Sequence, residues 1–198
     1  CYAADMRSHG VYIVFDGTAI LGTHARKTRT HSYNAFSSIN CPEAAIVQEG
    51  RIIRYFEPEC DGEVKFYQRM NPHILSVRPY PGISSEILVR TIDCYDGLVI
   101  ECFGTSGIPA YGGFDEAIRL WATAGKAIVA TTQVPHEGSD MSVYRVGKDL
   151  MELGLLEAFD MTPEAVLAKL MWVLGNAANR VELEQMFAGS VWMDTFRG

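Results

Sequence analysis

Three basic side chains, Arg26, Lys27 and Arg29, fall within the stretch GTHARKTRTHSYNAFSSIN, residues 22–40 of a chain whose formal net charge is −7. Lysine suits proton-transfer chemistry because burial lowers its pKa readily, and neighbouring hydroxyl groups offer a proton to share. The same residue types also suit a polar turn that exposes its cations, or a local patch that contacts nucleic acid. The stretch therefore leaves a catalytic, a structural and a nucleic-acid interpretation open.

A second group of chemically useful side chains lies in the segment TTQVPHEGSD, residues 131–140. His136, Glu137 and Asp140 follow an apolar stretch that predicts a strand. Carboxylates at the end of a strand can hold the ammonium group of a small substrate, although a solvated loop accounts for the same composition. Ser139 has no G-x-S-x-G surroundings, so the sequence does not indicate a serine nucleophile.

The composition restricts the class of protein. The chain has 198 residues, of which 48% are hydrophobic, enough for a packed core, and no stretch approaches the roughly 18 apolar residues of a membrane span. The first residues do not show the basic-then-apolar pattern of a signal peptide. We therefore expect a cytoplasmic protein without a membrane partner, and the net acidity argues against a nucleic-acid partner. The cysteines and histidines show no C-x-x-C or H-x-x-x-H spacing, so we expect reduced thiols and no metal site.

The first part of the chain predicts two β-hairpins. Val11–Phe15 and Ala19–Leu21 flank a DG pair, and Ala44–Val47 and Arg51–Phe56 flank QEG. Because Val11–Phe15 is continuously apolar, we expect a strand buried on both faces, with sheet partners upstream of residue 1. A polar, proline-containing and glycine-containing segment follows and predicts a connection between two modules.

The rest of the chain alternates short apolar strands with helical patterns, which predicts an α/β domain with a parallel sheet covered by helices on both faces. The clearest helix has Thr162 as its N-cap, Pro163 and Glu164 in its first turn, and Gly175 just past its end. We expect the end of a larger α/β domain with β-hairpins over residues 1–57, a linker over 58–73, and a smaller α/β domain over 74–198.

In such a sheet, functional loops lie at the carboxyl ends of the strands. The glycine-rich segment GTSGIPAYGG, residues 104–113, is at one of these ends and matches neither G-x-x-x-x-G-K-[ST] nor G-x-G-x-x-G. Its glycines provide a tight strand-to-helix turn, or they let the backbone approach a ligand or a partner chain.

Six blocks, in order, resemble bacterial-type L-asparaginases, most closely the cytoplasmic type I branch. They are GVYIVFDG, GTHARKTRTHSYNAFSSIN, VRPYPGISSEIL, YDGLVIECFGTSGIP, ATTQVPHEGSDMSVYRVGKDLMELG and DMTPEAVLAKLMWVLG, and only the final AGSVWMDTFRG departs from the pattern. The resemblance implies a two-domain α/β fold, a homodimer or homotetramer, and hydrolysis of L-asparagine to L-aspartate and ammonia without metal or cofactor. It implies that Lys27 acts in proton transfer. It also suggests that Glu137 or Asp140 meets the substrate's ammonium group in a neighbouring subunit's site.

The sequence departs from the family in one respect. Neither the family's T-G-G-T motif, which supplies the threonine nucleophile, nor its G-T-D-[ST] motif occurs in the chain. We therefore expect that these 198 residues begin inside the helix before GVYIVF and are inactive alone. Two alternatives remain open, an asparaginase-like subunit of an archaeal glutaminyl-tRNA amidotransferase and a truncated, non-catalytic assembly module.

Overall fold

The computed structural model describes residues 1–58, 64–109 and 111–196. Within these residues the chain forms three sheets and five α-helices. The strands are β1 (Tyr12–Phe15), β2 (Thr18–Leu21), β3 (Ala25–Lys27), β4 (Phe36–Ser38), β5 (Ala45–Gln48), β6 (Arg51–Arg54), β7 (Ile74–Val77), β8 (Gly97–Cys102), β9 (Ala127–Thr132) and β10 (Leu156–Glu157). The α-helices are α1 (Glu86–Thr91), α2 (Phe114–Thr123), α3 (Arg145–Met151), α4 (Pro163–Asn176) and α5 (Arg180–Ala188). The predicted α/β class is confirmed.

The first sheet contains the two predicted hairpins. Its strand order is β1-β2-β5-β6, and all neighbouring strands are antiparallel. Asp16 and Gly17 make the first turn with φ of 49° and 75°, and Glu49 and Gly50 make the second with the same values. A left-handed conformation at both central residues matches the right-handed twist of the flanking strands, which is why a DG pair predicts this turn well.

The predicted strand over Val11–Phe15 lies at the edge of this sheet. Val11 and Val14 are 73% and 45% exposed, and burial of this strand on both faces, which we expect to involve sheet partners upstream of residue 1, stays a prediction. Within the described residues the neighbouring β2 has that burial, because it lies between β1 and β5. A run of apolar residues shows that a strand exists but not which position the strand takes in its sheet.

The second sheet is parallel, with the order β10-β9-β8-β7, and helices cover both of its faces as predicted. Successive residues of β8 face opposite sides. Leu98 and Ile100 share a core with Trp121 of α2, whereas Val99 shares a second core with Val166 of α4. Helices α1, α2 and α3 therefore cover one face, and α4 and α5 cover the other.

Helix α4 begins as the sequence predicts but ends differently. The Thr162 hydroxyl accepts the backbone N–H of Ala165 at 3.2 Å, and Pro163 is the first helical residue. Gly175, predicted just past the end, lies inside the helix. A Cβ on Gly175 would come within 2.8 Å of the Arg69 carbonyl oxygen, so this glycine serves a close backbone approach and not a helix stop.

The predicted linker over residues 58–73 is described only in part, because residues 59–63 lie outside the described residues. Its later part packs on α4: the N–H of Asn71 donates to the Met171 carbonyl at 2.9 Å, and the Asn176 amide donates to the Arg69 carbonyl at 2.9 Å. The division of the chain at this segment stays a prediction. In the described residues, no helix is both long and apolar enough to cross a membrane.

Candidate active site

Lys27 is the last residue of β3, which pairs with β4 so that Lys27 lies opposite Phe36. The structure places this lysine at the loop end of a two-stranded hairpin, where residues 28–35 connect β3 to β4. Its side chain is exposed, so the described residues alone do not supply the desolvation expected of a proton-transfer lysine. The loop end of a narrow two-stranded hairpin has few neighbouring atoms that could bury a side chain.

The other two cations of the stretch have structural positions. Arg26 forms an ion pair with Glu164 of α4, with Nε and carboxylate oxygen 3.3 Å apart, so the hairpin is attached to the parallel-sheet region. Arg29 is exposed and donates to the Asn34 carbonyl at 3.0 Å within the hairpin loop. Lys27 is therefore the one of the three for which the described residues show neither an ion pair nor a side-chain hydrogen bond.

Aromatic packing fixes the hairpin of β3 and β4 against the first sheet. The Phe15 ring lies 5.5 Å from the Phe36 ring and 5.2 Å from the Tyr33 ring, between ring centroids. These separations are in the range of favourable aromatic pairs, which contribute stability beyond the apolar area that they bury. Phe36, the cross-strand partner of Lys27, is thus anchored, and the backbone that carries Lys27 is anchored with it.

The predicted carboxylates lie at the carboxyl ends of β8 and β9, as expected for a parallel sheet. Glu137 and Asp140 line a cavity of about 530 Å³ together with Gly104 and Thr105 from the glycine-rich loop. The N–H of Asp140 donates to the Thr105 carbonyl at 3.0 Å, which joins the two loops. Polar groups from two strand ends therefore meet in one open cleft.

The two carboxylates have different environments. Asp140 accepts the backbone N–H of Ser142 at 2.9 Å and its hydroxyl at 2.5 Å, so this carboxylate stabilises a local turn. Glu137 is exposed, and its backbone is in the left-handed region with φ of 76°. A non-glycine residue seldom adopts this conformation unless the surroundings impose it. Of the two, Glu137 is better placed to receive a ligand.

Asn40 connects the hairpin of β3 and β4, called the lysine hairpin because it carries Lys27, to this cleft. The sequence alone did not identify Asn40. It lies two residues after β4, and its side-chain oxygen accepts the N–H of Glu137 at 2.9 Å. Its side-chain N–H donates to the carbonyl of Asp160 at 2.9 Å. Asn40 itself has φ of 55°, which asparagine tolerates better than most residues. That tolerance is a weak sequence signal, because the partners lie 97 and 120 residues away.

The glycine-rich loop forms a tight turn. Phe103 and Gly107 exchange two backbone hydrogen bonds of 2.7 and 2.8 Å. A Cβ on Gly107 would come within 2.8 Å of the Phe103 carbonyl oxygen, so a larger residue does not fit. The turn interpretation therefore holds for this part of the loop. Residue 110 lies outside the described residues.

The buried thiols are not nucleophiles in this environment. Burial raises the pKa of the Cys41 thiol to about 11 and that of Cys102 to about 12, so both stay protonated at neutral pH. Cys1, Cys41, Cys94 and Cys102 are all free. Among the described residues, no group of three or more His, Cys, Asp or Glu side chains is arranged to hold a metal ion.

Two family models match the chain. "Asparaginase, N-terminal" matches residues 1–59, and "Glutaminase/Asparaginase C-terminal domain" matches residues 67–187. The chain therefore belongs to the glutaminase/asparaginase family, which confirms the resemblance that its sequence blocks suggest.

Several relatives extend this result. The L-asparaginase of Thermococcus kodakarensis is 34% identical over 183 residues, which cover 92% of this chain and 56% of that protein. The structure of the thermostable L-asparaginase from Thermococcus kodakarensis matches with a TM-score of 0.90 over 96% of this chain and 58% of that one. L-asparaginase I from Vibrio cholerae gives 0.82 at 25% identity, over 93% of this chain and 56% of that one.

A subunit of the glutamyl-tRNA(Gln) amidotransferase of Pyrococcus abyssi is also 34% identical, over 179 residues that cover 86% of this chain and 40% of that protein. The chain thus spans a little over half the length of the matching L-asparaginases and less than half of the amidotransferase protein.

Proposed function

We propose that this chain is part of an L-asparaginase, which hydrolyses L-asparagine to L-aspartate and ammonia, and that Lys27 acts there in proton transfer. The observation that carries the proposal is the position of Lys27. It ends a strand of an anchored hairpin, and that hairpin continues into Asn40, which contacts the loop of Glu137. The cytoplasmic location and the homo-oligomer belong to the same proposal, and they rest on the resemblance to type I L-asparaginases.

In the proposed reaction, a threonine hydroxyl from a segment that carries the family motifs adds to the amide carbon of asparagine. The Lys27 amine, in its neutral form, takes up the hydroxyl proton through that segment's proton-handling group. The C–N bond then breaks, the leaving nitrogen receives the proton that Lys27 took up, and ammonia departs. Water hydrolyses the resulting ester, releases aspartate and returns the hydroxyl. A lysine suits this role because a closed site would desolvate it and favour the neutral amine.

Glu137 and Asp140 are proposed to hold the substrate's α-ammonium group in the site of a neighbouring subunit. Replacing both by alanine in an active form should raise KM for asparagine by about 10-fold or more while the oligomer persists, because charge-assisted hydrogen bonds to the substrate are lost. Steady-state kinetics and size-exclusion chromatography measure the two properties.

Two single variants refine this test. Glu137→Gln keeps the backbone geometry and should account for most of the KM effect, since Asp140 already caps a turn. Glu152→Gln, at another exposed carboxylate, is the matched control. An unchanged KM in the double variant would mean that the segment is only a solvated turn.

The direct test of the function is ammonia release. The 198-residue chain alone should release none from asparagine, because its sequence contains neither threonine motif. Adding a segment with these motifs in trans should restore release. Robust release by the chain alone, with host asparaginase excluded, would show that the nucleophile lies within residues 1–198. A folded oligomer that stays inactive after complementation would support a non-catalytic assembly module.

A second candidate function rests on the similarity to the glutamyl-tRNA(Gln) amidotransferase protein. In that case glutamine, and not asparagine, would be the ammonia donor, and its hydrolysis would depend on a partner that binds tRNA. Comparing ammonia release from the two amino acids, with and without glutamyl-tRNA(Gln) and its amidotransferase partner, separates the two proposals. A preference for glutamine that appears only with the partner would favour the amidotransferase role.

A further inference from the structure

A buried histidine lies where the lysine hairpin meets the segment after α5. This tail segment comprises residues 189–196. His24 is 0% exposed, its Nδ1 is 2.7 Å from the Ile39 carbonyl oxygen, and its Nε2 is 2.6 Å from the Met193 carbonyl oxygen. Carbonyl oxygens only accept hydrogen bonds, and a neutral imidazole has only one N–H, whereas the imidazolium ion has two.

We infer that His24 is held as an imidazolium ion that fastens the tail segment to the hairpin, and that deprotonation loosens the contacts of Met193 and Phe196. The Lys169–Asp194 pair keeps the segment attached. Without the second proton, a nitrogen lone pair would face a carbonyl oxygen at 2.6–2.7 Å, which is repulsive. The Ile39 side of the contact is reinforced, since the N–H of Ile39 donates to the His24 carbonyl at 2.9 Å. The Met193 side therefore opens first.

A buried cation requires an opposite charge nearby, and the buried carboxylate that shares the neighbour Phe196 with His24 is that of Asp160. Asp160 is 6% exposed and accepts the N–H of Phe196 at 3.0 Å, while the Phe196 ring stacks on the His24 ring with centroids 5.3 Å apart. Among the described residues, Asp160 forms no ion pair with a lysine or arginine. The carboxylate and the imidazole thus contact the same residue, and the Thr195 hydroxyl also donates to the Asp160 carboxylate. In the inferred state, the imidazolium is the cation that balances Asp160.

The tail segment is held in a conformation that favours loosening. Trp192 and Met193 both have positive φ values, 53° and 56°, which bulky side chains adopt at a cost. The hydrogen bond from His24 to the Met193 carbonyl helps to hold the backbone in this strained conformation. Loss of that bond therefore lets the backbone relax. The contact of His24 with Ile39 and Met193, called the clamp, thus holds a strained segment while the imidazole is protonated and opens when it loses a proton.

The other titratable groups around the clamp have partners of their own. Arg26 of β3 is paired with Glu164, and Asp194 of the tail segment is paired with Lys169 at 2.8 Å. Cys41, two residues beyond Ile39, keeps its proton because burial raises its pKa to about 11.

His9 is the remaining titratable neighbour. Its nitrogens lie 2.9 and 3.0 Å from the carbonyl oxygens of Arg7 and Pro58, and its ring packs edge-on against Trp192. His9 is half-buried, so water can replace one of its contacts. Its ring can follow Trp192 when the clamp opens. Its hydrogen bonds do not hold the tail segment, because both go to carbonyl oxygens outside that segment.

The clamp also reaches the candidate site, independently of which reaction occurs there. Ile39 directly precedes Asn40, whose side chain holds the backbone of Glu137. Asp160, the balancing carboxylate, uses its carbonyl to accept the Asn40 amide. Opening of the clamp would therefore loosen the attachment of the carboxylate loop.

The first test uses the unmodified 198-residue chain. Nitrogen-15 NMR of the imidazole rings between pH 5.5 and 8.5 should show both His24 nitrogens protonated while the tail segment is closed. Amide hydrogen exchange should show the protection factor of Phe196 falling by about 10- to 100-fold as His24 deprotonates, the scale for loss of one charge-assisted hydrogen bond. A singly protonated His24 with the segment still closed would overturn the inference.

Three variants assign the effect. His24→Arg keeps a permanent cation and should keep Phe196 protected across this pH range, whereas His24→Gln should show low protection throughout. His31→Gln, at an exposed histidine of the same hairpin, is the matched control and should retain the transition. If His24→Gln retains the transition with the same midpoint, a different group controls the segment. If the His24 variants do not fold, the NMR titration of the unmodified chain decides.

Discussion

Replacing Lys27 by methionine is expected to lower the turnover of asparagine by about 10²–10⁴-fold, the usual scale for a proton-transfer group. Methionine has a similar unbranched stem but no amine. The fold should be little changed, since Lys27 is exposed at the end of β3 and its side chain forms no hydrogen bond with the residues that the structure describes. The measurement is kcat at saturating asparagine, in a form of the protein that carries the two threonine motifs.

Arg29→Met is the matched control, because Arg29 is also an exposed cation of the same stretch. It should leave kcat within a factor of a few, while Lys27→Arg, whose guanidinium does not give up a proton, should be nearly as inactive as Lys27→Met. Thermal unfolding of each variant distinguishes a structural role of Lys27 from a catalytic one. Lost folding would identify Lys27 as structural, and activity close to that of the unmodified form would contradict its catalytic role.

Features determined by neighbouring residues are those that the sequence predicts well. The turn at Asp16 and Gly17 depends on two residues that tolerate left-handed backbone. The start of α4 depends on Thr162 and Pro163, which act within one helical turn. The clustering of Glu137 with Gly104 also follows from a general rule, since parallel strands present their carboxyl ends at one edge.

Features that depend on distant partners could not be predicted in this way. The contact of Asn40 with Glu137 spans 97 residues, and that of His24 with Met193 spans 169. Gly175 appears as a helix stop because the close approach of the Arg69 backbone leaves no mark on the local sequence. The exposure of Lys27 likewise depends on what packs over the end of a hairpin.

A second long-range contact gives the largest expected effect on stability. Lys169 of α4 and Asp194 of the tail segment form an ion pair of 2.8 Å, with side chains only 3% and 4% exposed. Lys169 Nζ also donates to the Gly189 carbonyl at 2.8 Å and lies 5.3 Å from the centre of the Phe187 ring. Lys169→Met would leave the Asp194 carboxylate buried without its cation, and we expect the free energy of unfolding to fall by about 3–5 kcal/mol.

Chemical denaturation of the chain measures this loss. Arg90→Met is the matched control, because Arg90 and Glu86 form an ion pair of similar length, 3.2 Å, with side chains 76% and 71% exposed. Solvent screens that pair, so the control should change stability by less than about 0.5 kcal/mol. Adding Asp194→Asn to Lys169→Met removes the unpaired charge and should recover part of the loss, which a double-mutant cycle quantifies. A loss no larger than that of Arg90→Met would show that water reaches Asp194 and that the tail segment does not seal the pair.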